Sequence, residues 1–441
     1  MNTPIESTQL SKTRFSPLSL RTNVSWAFVG NAIYAGSQWG LIVVLAKLTS
    51  PLIVGRFALA LAVTTPVMMF STLNLRSVQA TDVKQAYSFS DYLGLRLLTA
   101  PIAWLVIAII AMFSGYGWAT FSVVCVVGLA KGLETISGVY YGLFQLHERL
   151  DLIAKSMIIK GVLSLVGLSL GVYLTNDLFW GAIGMAAAWA LLLLSFDLPM
   201  GRQILRSTPH PPEGEPSLGA GEASLRPRWD MSTLARLTWL ALPLGLVVML
   251  ISLGMNIPRY LIEAHIGEYQ LGIFAAIASL QKVGYTAVTA LGQSATPRMA
   301  KHASRDIRRY RALLAKLLLI GLVLGIMGVV VAFVAGRAIL TLLFQPDYAR
   351  PDLLVLTMSA AGFEYLALIY GYALTAVRKF KVQLPLYASV TILTFLVCTW
   401  LIPRGGLVGA AIALNIVGFV KVASSVLVLN RSLHAESNKE R

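Results

Sequence analysis

The sequence is poor in charged residues, in acids above all, and in cysteine. Only 13% of its 441 residues are charged, and 20 Asp and Glu stand against 36 Lys and Arg. A soluble domain carries about 25% charged residues, so this composition excludes an ordinary water-soluble enzyme and a disordered chain. The two cysteines, Cys125 and Cys398, each lie inside an apolar run, which excludes a disulfide framework and a cysteine-bound zinc cluster.

The sequence also lacks the motifs of common catalytic sites. It contains no Gly-x-x-x-x-Gly-Lys-Ser/Thr loop for nucleotide phosphates. Its five histidines are scattered over loops and tails rather than paired at the spacing of metal ligands. The predicted external loops, such as residues 114–117 and 403–406, are too short to hold an active site with its own core. We therefore expect no enzyme, no metal and no bound cofactor.

What the chain has instead is long apolar runs. The hydrophobic fraction is 56% and the mean hydropathy is +0.71. A transmembrane helix needs about 20 consecutive apolar residues, and counting such windows predicts an all-α polytopic membrane protein with twelve transmembrane helices. The predicted spans are residues 23–48, 52–73, 91–113, 117–142, 152–174, 178–199, 235–258, 269–295, 312–335, 353–376, 384–402 and 406–430.

Basic residues are distributed unequally between alternate loops. The loops after the sixth and the eighth span are the richest in them, for example Arg202, Arg206, Arg308 and Arg309. Because Lys and Arg near span ends are retained in the cytoplasm, these loops and both termini are predicted to be cytoplasmic. The pI near 9.9 follows from this asymmetry, so it predicts anionic membrane lipids rather than nucleic acid as partners.

The predicted helices divide six and six at a polar, Pro-rich stretch. The predicted organisation is a cytoplasmic N-terminal tail (1–21), an N-terminal six-helix lobe (22–200), a cytoplasmic linker (201–234), a C-terminal six-helix lobe (235–430) and a cytoplasmic tail (431–441).

An internal repeat supports this division. Gly55-Arg56-Phe57-Ala58 recurs as Gly272-Ile273-Phe274-Ala275, 217 positions later. Residues 181–188 of the sixth span match residues 406–413 of the twelfth, 225 positions later. Since each half has an even number of spans, the repeat is parallel, with its axis along the membrane normal. This arrangement predicts a cleft between the two lobes.

Ionisable residues inside the predicted spans are mostly cationic. An intramembrane charge is costly, so it normally faces a water-filled cavity or a partner. An excess of cations in a cleft attracts an anion such as phosphate. The predicted substrate-binding residues are the cations Arg56, Lys131, Lys160, Arg259 and Lys282, with the polar side chains Asn31 and Gln38 of the first span.

Other roles stay open for several of these residues. Lys131 and Glu134 are three positions apart on one helical face and could neutralise each other. Lys282 could pair with Glu364, and Arg56 could anchor its helix at the membrane interface. Asn31 and Gln38 could form hydrogen bonds between helices. The intramembrane acids Glu134 and Glu364 are candidates for coupling transport to a proton, to sodium or to the membrane potential.

Short motifs occupy the first two spans and the loop after them. They comprise Gly30-Asn31-Ala32-Ile33-Tyr34, Ser37-Gln38-Trp39, residues 45–51, Val54-Gly55-Arg56-Phe57-Ala58 and residues 73–82. With these motifs the chain resembles the Wzx-type polysaccharide flippases of the multidrug/oligosaccharidyl-lipid/polysaccharide exporter (MOP) superfamily. The resemblance implies a MATE-like fold in the inner membrane and no enzymatic activity.

The resemblance also implies a substrate, a saccharide unit linked to undecaprenyl pyrophosphate. The unit would enter from the cytoplasmic leaflet and reach the outer leaflet by alternating access, for lipopolysaccharide O-antigen or exopolysaccharide. Polysaccharide polymerase and chain-length machinery are the implied protein partners. Arg56 matches a basic position on the second span of related lipid II flippases, whereas the arginines that those relatives carry in the first span are missing here.

Three alternative functions are weighed against this one. A MATE-like multidrug or cation exporter would need an acidic cleft, and the cleft is predicted to be basic. A membrane enzyme of envelope glycan synthesis would need larger external loops. The third alternative is an accessory scaffold of the polysaccharide assembly machinery without transport of its own.

Overall fold

The computed structural model describes residues 18–82, 86–207, 226–303, 306–377 and 380–437. Within these ranges the chain is almost entirely helical and contains no β-strand. The α-helices are α1 Leu20–Leu48, α2 Pro51–Thr72, α3 Leu75–Thr81, α4 Phe89–Phe113, α5 Trp118–Leu146, α6 Leu150–Thr175, α7 Leu178–Leu192, α8 Leu198–Ser207, α9 Met231–Ser279, α10 Gln281–Ala303, α11 Ile307–Leu343, α12 Pro351–Ala376 and α13 Phe380–Ser437. A π-helical segment, Leu193–Asp197, joins α7 to α8, and a short 3₁₀ helix, Pro346–Tyr348, precedes α12.

Ten helical stretches in the described part of the chain are long and apolar enough to cross a membrane. Two elements far exceed the length of one crossing, since α9 has 49 residues and α13 has 58. Each is kinked at a glycine with a positive φ, 88° at Gly267 and 56° at Gly406. Other residues rarely adopt such angles, so glycine permits the kink. The twelve crossings and the cytoplasmic termini stay predictions.

Local sequence determines where several helices begin. At α4, Ser88 and Asp91 form a capping box in which the Asp91 carboxylate accepts from the Ser88 backbone N–H at 2.9 Å. Asp230 and Asp306 cap α9 and α11 in a similar way, by accepting from backbone N–H groups of the first turn. Pro51 opens α2, at a position where no N–H group is needed. These caps satisfy helix termini whose N–H groups have no partner within the helix.

The two halves of the chain pack their helices in corresponding ways. In the N-terminal half, α1 packs on α6, α6 on α7, and α5 on α2, α4 and α7. In the C-terminal half, α9 packs on α13, and α12 packs on α10, α11 and α13. This correspondence is the arrangement that a parallel repeat produces.

Glycines allow the closest approaches between helices within each half. Gly184 of α7 lies against Gly167 of α6, and Gly181 lies against the next turn of α6. In the C-terminal half, Gly325 of α11 lies against Gly362 of α12. A β-carbon at these positions would crowd the neighbouring backbone or side chain, so glycine permits the close packing of these helices.

The two halves contact each other along α2 and α9, and at one end of this contact the two copies of the repeat cross. Gly55 of α2 faces the backbone of Glu268 and Gly272 in α9, and Gly272 faces the backbone of Pro51 and Gly55. A β-carbon on either glycine would overlap the opposing main chain. On the predicted topology this crossing lies at the outer end of the molecule.

The predicted linker, 201–234, is helical at both of its ends. Helix α8 extends to Ser207 and α9 begins at Met231. Just before α9, the backbone N–H of Arg228 donates to the carbonyl oxygen of Ser90 at 3.0 Å. Residues 1–17 of the predicted N-terminal tail, residues 208–225 of the linker and residues 438–441 of the predicted C-terminal tail lie outside the described residues.

Candidate functional site in the cleft between the halves

Three cations from the two halves gather in one space, which we call the cleft. We define it by Lys131 of α5, Arg259 of α9 and Lys282 of α10, with Tyr34 of α1 joined to it through Glu134. Lys282 of α10 lies within electrostatic range of Arg259 of α9 and of Lys131 of α5. These three residues were predicted from the sequence as anion-binding groups, and the fold brings them together.

Among the residues that the structure describes, two of the three cations have no acid within ion-pair distance. Lys282 is exposed, and its ammonium group makes no hydrogen bond or ion pair within the described ranges. Arg259 donates a hydrogen bond to Oδ1 of Asn256 at 2.6 Å and forms no ion pair there either. Like charges held together without a counter-ion create a positive potential that attracts anions.

On the N-terminal side of the cleft, Glu134 links two helices. Its carboxylate forms an ion pair with Lys131 at 2.8 Å and accepts a hydrogen bond from the hydroxyl group of Tyr34 in α1. The side chains of Lys131 and Glu134 are 18% and 26% exposed. The ion pair between Lys131 and Glu134, one of the alternatives that the sequence left open, is therefore formed.

Asn31 and Gln38 lie on the same face of α1 as Tyr34, at spacings of three and four residues. Asn31 is exposed, and its amide donates to the carbonyl oxygen of Ala27 at 2.7 Å. The side-chain nitrogen of Gln38 is buried without a hydrogen-bond partner in the part of the chain that the structure describes. Because Tyr34 contacts Glu134, this face of α1 borders the cleft.

Lys160 lies inside the N-terminal half rather than in the cleft. Lys160 is 1% exposed, and its ammonium group lies 5.1 Å from the ring centroid of Tyr141. It is within electrostatic range of Glu134 and Asp197. The structure therefore brings Lys160 near Lys131, since both ammonium groups lie over the ring of Trp189, at 5.7 and 5.1 Å from its centroid. It does so inside the N-terminal half, because α6 buries Lys160 in the core.

Asp197 completes this buried cluster from the end of the π-helical segment. It is 0% exposed, and Ser156 donates a hydrogen bond to its Oδ1 at 2.6 Å. Its second oxygen has no hydrogen-bond partner within the described ranges. π-Helical insertions occur mostly as single turns and often at functional sites.

Arg56 takes part in the contact between the halves. Its Nε donates to Oε2 of Glu268 at 2.9 Å, and Glu268 also accepts from Thr120. The pair lies beside the crossing of Gly55 and Gly272. In the structure the guanidinium group of Arg56 is therefore engaged by the C-terminal half.

On the C-terminal side, Glu364 of α12 pairs with Lys421 of α13. Oε2 and Nζ are 2.7 Å apart, and the side chains are 38% and 21% exposed. The alternative of an ion pair between Glu364 and Lys282 is therefore wrong, because Lys421 occupies this carboxylate.

Glu134 and Glu364 occupy equivalent positions in the two halves. Gly132-Leu133-Glu134 in α5 recurs as Gly362-Phe363-Glu364 in α12, 230 positions later, and Tyr140 recurs as Tyr370. Sequence reasoning missed this third pair of matching segments. The signal was present, because its offset of 230 positions is close to the offsets of 217 and 225 positions of the other two pairs.

The site offers hydrogen-bond donors that suit an anion. Arg259 and Lys282 offer charged N–H donors, which form the stronger hydrogen bonds to phosphate and carboxylate oxygens. No group of three His, Cys, Asp or Glu side chains that could hold a metal ion occurs among the residues described.

Comparison with solved structures identifies the fold as that of a class of membrane transporters. An inward-facing multidrug resistance MATE family transporter of the MOP superfamily covers 96% of this chain and 98% of its own, with a TM-score of 0.62 and 13% identity. The Vibrio cholerae MATE transporter VcmN gives a TM-score of 0.63 at 14% identity, over 94% of this chain and 96% of its own. A MOP superfamily transporter from Pyrococcus furiosus, described for the reverse polarity of its binding pocket, gives 0.59 at 13% identity, over 93% and 95%. The protein is thus a multi-pass membrane protein with a MATE transporter fold.

Sequence comparison gives the family. Residues 20–303 match the family described as polysaccharide biosynthesis protein, and the chain belongs to this family. The capsular polysaccharide biosynthesis protein CapF of Staphylococcus aureus is 28% identical over 408 residues, which are 91% of this chain and 97% of CapF. The family and the fold together confirm the resemblance to Wzx-type flippases of the MOP superfamily and define a membrane transporter for polysaccharide synthesis.

Proposed function

We propose that this protein carries a saccharide unit linked to undecaprenyl pyrophosphate from the cytoplasmic to the outer leaflet of the inner membrane. The observation that carries the proposal is the pair of cations, Arg259 and Lys282, without an acidic partner among the described residues. A charge in the bilayer core costs several kcal/mol, so a transporter of this substrate must offer the pyrophosphate a polar, cationic path.

Contacts at the outer end support alternating access. The crossing of Gly55 and Gly272 is reinforced by the Arg56–Glu268 ion pair and by a hydrogen bond from Lys47 Nζ to the carbonyl oxygen of Phe344 at 2.9 Å. These contacts join the halves on the side from which the substrate would leave. The halves are also in contact at the opposite end of α9, where Gly245 faces Leu73 at the end of α2. Release would require the halves to rock apart at the outer end, as in other transporters built from repeats.

We place energy coupling at Glu134, one of the two predicted coupling residues. Its carboxylate holds Tyr34 of α1 and Lys131 of α5 together, so binding of a proton or a sodium ion would weaken both bonds and loosen α1. Within the described ranges, Glu364 forms a side-chain hydrogen bond with Lys421 only. Binding of a proton or a sodium ion to Glu364 would therefore release one partner rather than two. Coupling to the membrane potential alone would leave transport unchanged in Glu134→Gln.

Two alternatives fit the site less well. A drug or cation exporter would bind positively charged substrates, which Arg259 and Lys282 repel. A membrane enzyme would need room for catalytic groups outside the bilayer. The connection between α4 and α5 is only four residues long, residues 114–117. We propose transport without covalent chemistry.

Replacement of Lys282 tests the substrate role. In cells of the source organism that lack the chromosomal gene, Lys282→Ala should restore surface polysaccharide about tenfold less well than the wild type, because the pyrophosphate loses one charge-assisted contact. The lipid-linked intermediate should accumulate in the same cells. The matched control is Lys316→Ala, which removes an exposed lysine of α11 and should restore polysaccharide fully. Equal restoration by both variants at equal protein levels would contradict the assignment.

A further inference from the structure

Three tyrosines from three helices lie together in the C-terminal half, and we call them the tyrosine cluster. They are Tyr285 of α10, Tyr372 of α12 and Tyr387 of α13, and each is partly exposed. Tyr285 lies within electrostatic range of the other two and of the ion pair between Glu364 and Lys421. Tyr387 is within range of the same ion pair. Aromatic rings and a partly exposed ion pair therefore share one site.

The tyrosine cluster adjoins Lys282, one of the cations of the cleft. Tyr285 follows Lys282 by three residues, so both project from one face of α10. Three residues of helix span about 4.5 Å. Lys282 in turn lies within range of Arg259. The wall of the cleft formed by α10 thus carries a cation first and an aromatic ring one turn further along.

Glycines in facing helices leave room for two of the rings. Gly292 of α10 lies so close to the ring of Tyr372 that a β-carbon there would overlap it. Gly371 of α12 lies beside the hydroxyl group of Tyr387. Since main chain rather than mobile side chains supports these rings, the tyrosine cluster is formed before any ligand binds, which lowers the entropic cost of binding.

The chemistry of this site suits a carbohydrate. A sugar ring presents C–H groups on its faces and hydroxyl groups around its edge, so it needs both apolar and polar partners. Tyrosine offers an apolar ring with a polar tip. The carboxylate of Glu364 accepts and the ammonium group of Lys421 donates charge-assisted hydrogen bonds, and their side chains are 38% and 21% exposed. Ligand sites generally combine aromatic walls with a few placed polar groups in this way.

We propose that the tyrosine cluster, with Glu364 and Lys421, forms a saccharide subsite that binds the sugar adjoining the pyrophosphate. This inference rests on the proposed function, because Arg259 and Lys282 must hold the pyrophosphate for the sugar to reach the tyrosines. It gives the two equivalent glutamates different roles, since Glu134 lies among lysines and Glu364 lies among tyrosines. A purely structural ion pair with packed tyrosines would make no distinction between lipids with and without sugar.

Binding of two lipids to the purified full-length protein tests the subsite. The first is the lipid-linked saccharide extracted from cells that lack this gene, and the second is undecaprenyl pyrophosphate without sugar. Tyr285→Ala and Glu364→Gln should each weaken binding of the first lipid about tenfold and leave binding of the second unchanged. Lys282→Ala should weaken binding of both lipids. Tyr173→Ala, at an exposed tyrosine near the outer end of α6, is the matched control and should bind both lipids like the wild type.

A conservative variant separates loss of the contact from loss of the fold. Tyr285→Phe keeps the ring and should retain most of the binding of the sugar-bearing lipid. If Tyr285→Ala and Glu364→Gln bind both lipids like the wild type, or lose both equally, the saccharide subsite is overturned. A wild-type protein that binds both lipids with equal affinity also overturns the subsite alone. A wild-type protein that binds neither lipid overturns the proposed function instead.

Discussion

Lys160 shows how one charged residue is accommodated inside the N-terminal half. Its ammonium group lies near the rings of Tyr141 and Trp189, at 5.1 and 5.7 Å from their centroids. Glu134 and Asp197 lie within electrostatic range. A buried cation is tolerable when aromatic faces and carboxylates replace the water that it has lost. Removal of one partner should therefore cost more than removal of the whole set.

Asp197→Ala should destabilise the protein by about 2 kcal/mol, because it leaves Lys160 buried with less compensation. Adding Lys160→Met to this variant should recover part of the loss, since the uncompensated charge is then gone. Thermal unfolding of the purified variants measures both effects. Asp347→Ala, at an exposed aspartate, should unfold like the wild type. A double variant that is less stable than Asp197→Ala would contradict this account.

Local spacing predicted some charge partners and missed others. Lys131 and Glu134 are three positions apart, and the ion pair that this spacing allows is formed. Lys421 is 57 positions from Glu364, and a partner at that distance is determined by the packing of α12 on α13. The burial of Lys160 could not be predicted from local spacing either, because its partners come from α5 and from the end of the π-helical segment.

At the scale of elements, the sequence predicted the apolar helices and missed how some of them continue. Apolar windows and caps are local signals, so α4, predicted at 91–113, is observed at Phe89–Phe113. The predicted eighth span, 269–295, crosses a break instead, since α9 runs to Ser279 and α10 begins at Gln281. The kinks at Gly267 and Gly406 depend on single backbone angles that apolar periodicity does not report.

The crossing of α2 with α9 gives a testable role to the repeated glycine. Gly272→Ala should hold the outer ends apart, because the added β-carbon overlaps the main chain of α2. The measurement is disulfide formation between Lys47→Cys and Gln345→Cys in a protein whose native cysteines are replaced by alanine. Gln345 donates to the Lys47 carbonyl oxygen at 3.0 Å, so this pair should cross-link readily in the parent and poorly with Gly272→Ala.

Two controls keep this result interpretable. Gly138→Ala adds a β-carbon that meets no atom within 4 Å, so cross-linking should persist. A cysteine pair within the N-terminal half, Asn23→Cys with Glu148→Cys, should cross-link in every variant that folds, since Asn23 donates to the Glu148 carbonyl oxygen at 2.7 Å. Undiminished cross-linking at the outer pair with Gly272→Ala would contradict the role of the crossing.

At the scale of the whole molecule, the two halves share a plan and differ in their polar clusters. The fold could be predicted because the repeat and the apolar spans are visible in the sequence itself. The different roles of Glu134 and Glu364 could not be predicted, because the two glutamates occupy equivalent positions in the repeat. They differ only in the side chains that other helices place next to them. Tyr34 and two lysines surround the first, and Lys421 with the tyrosine cluster surrounds the second.

The most direct test of the central claim is translocation by the purified protein in liposomes. The lipid-linked saccharide is placed in both leaflets, and a membrane-impermeant reagent that oxidises sugar diols is added outside. Under an imposed proton or sodium gradient, wild-type protein should make the saccharide of the inner leaflet accessible, and Lys282→Ala should do so about tenfold more slowly. If liposomes with wild-type protein expose only the fraction in the outer leaflet, as protein-free liposomes do, the protein does not flip this lipid.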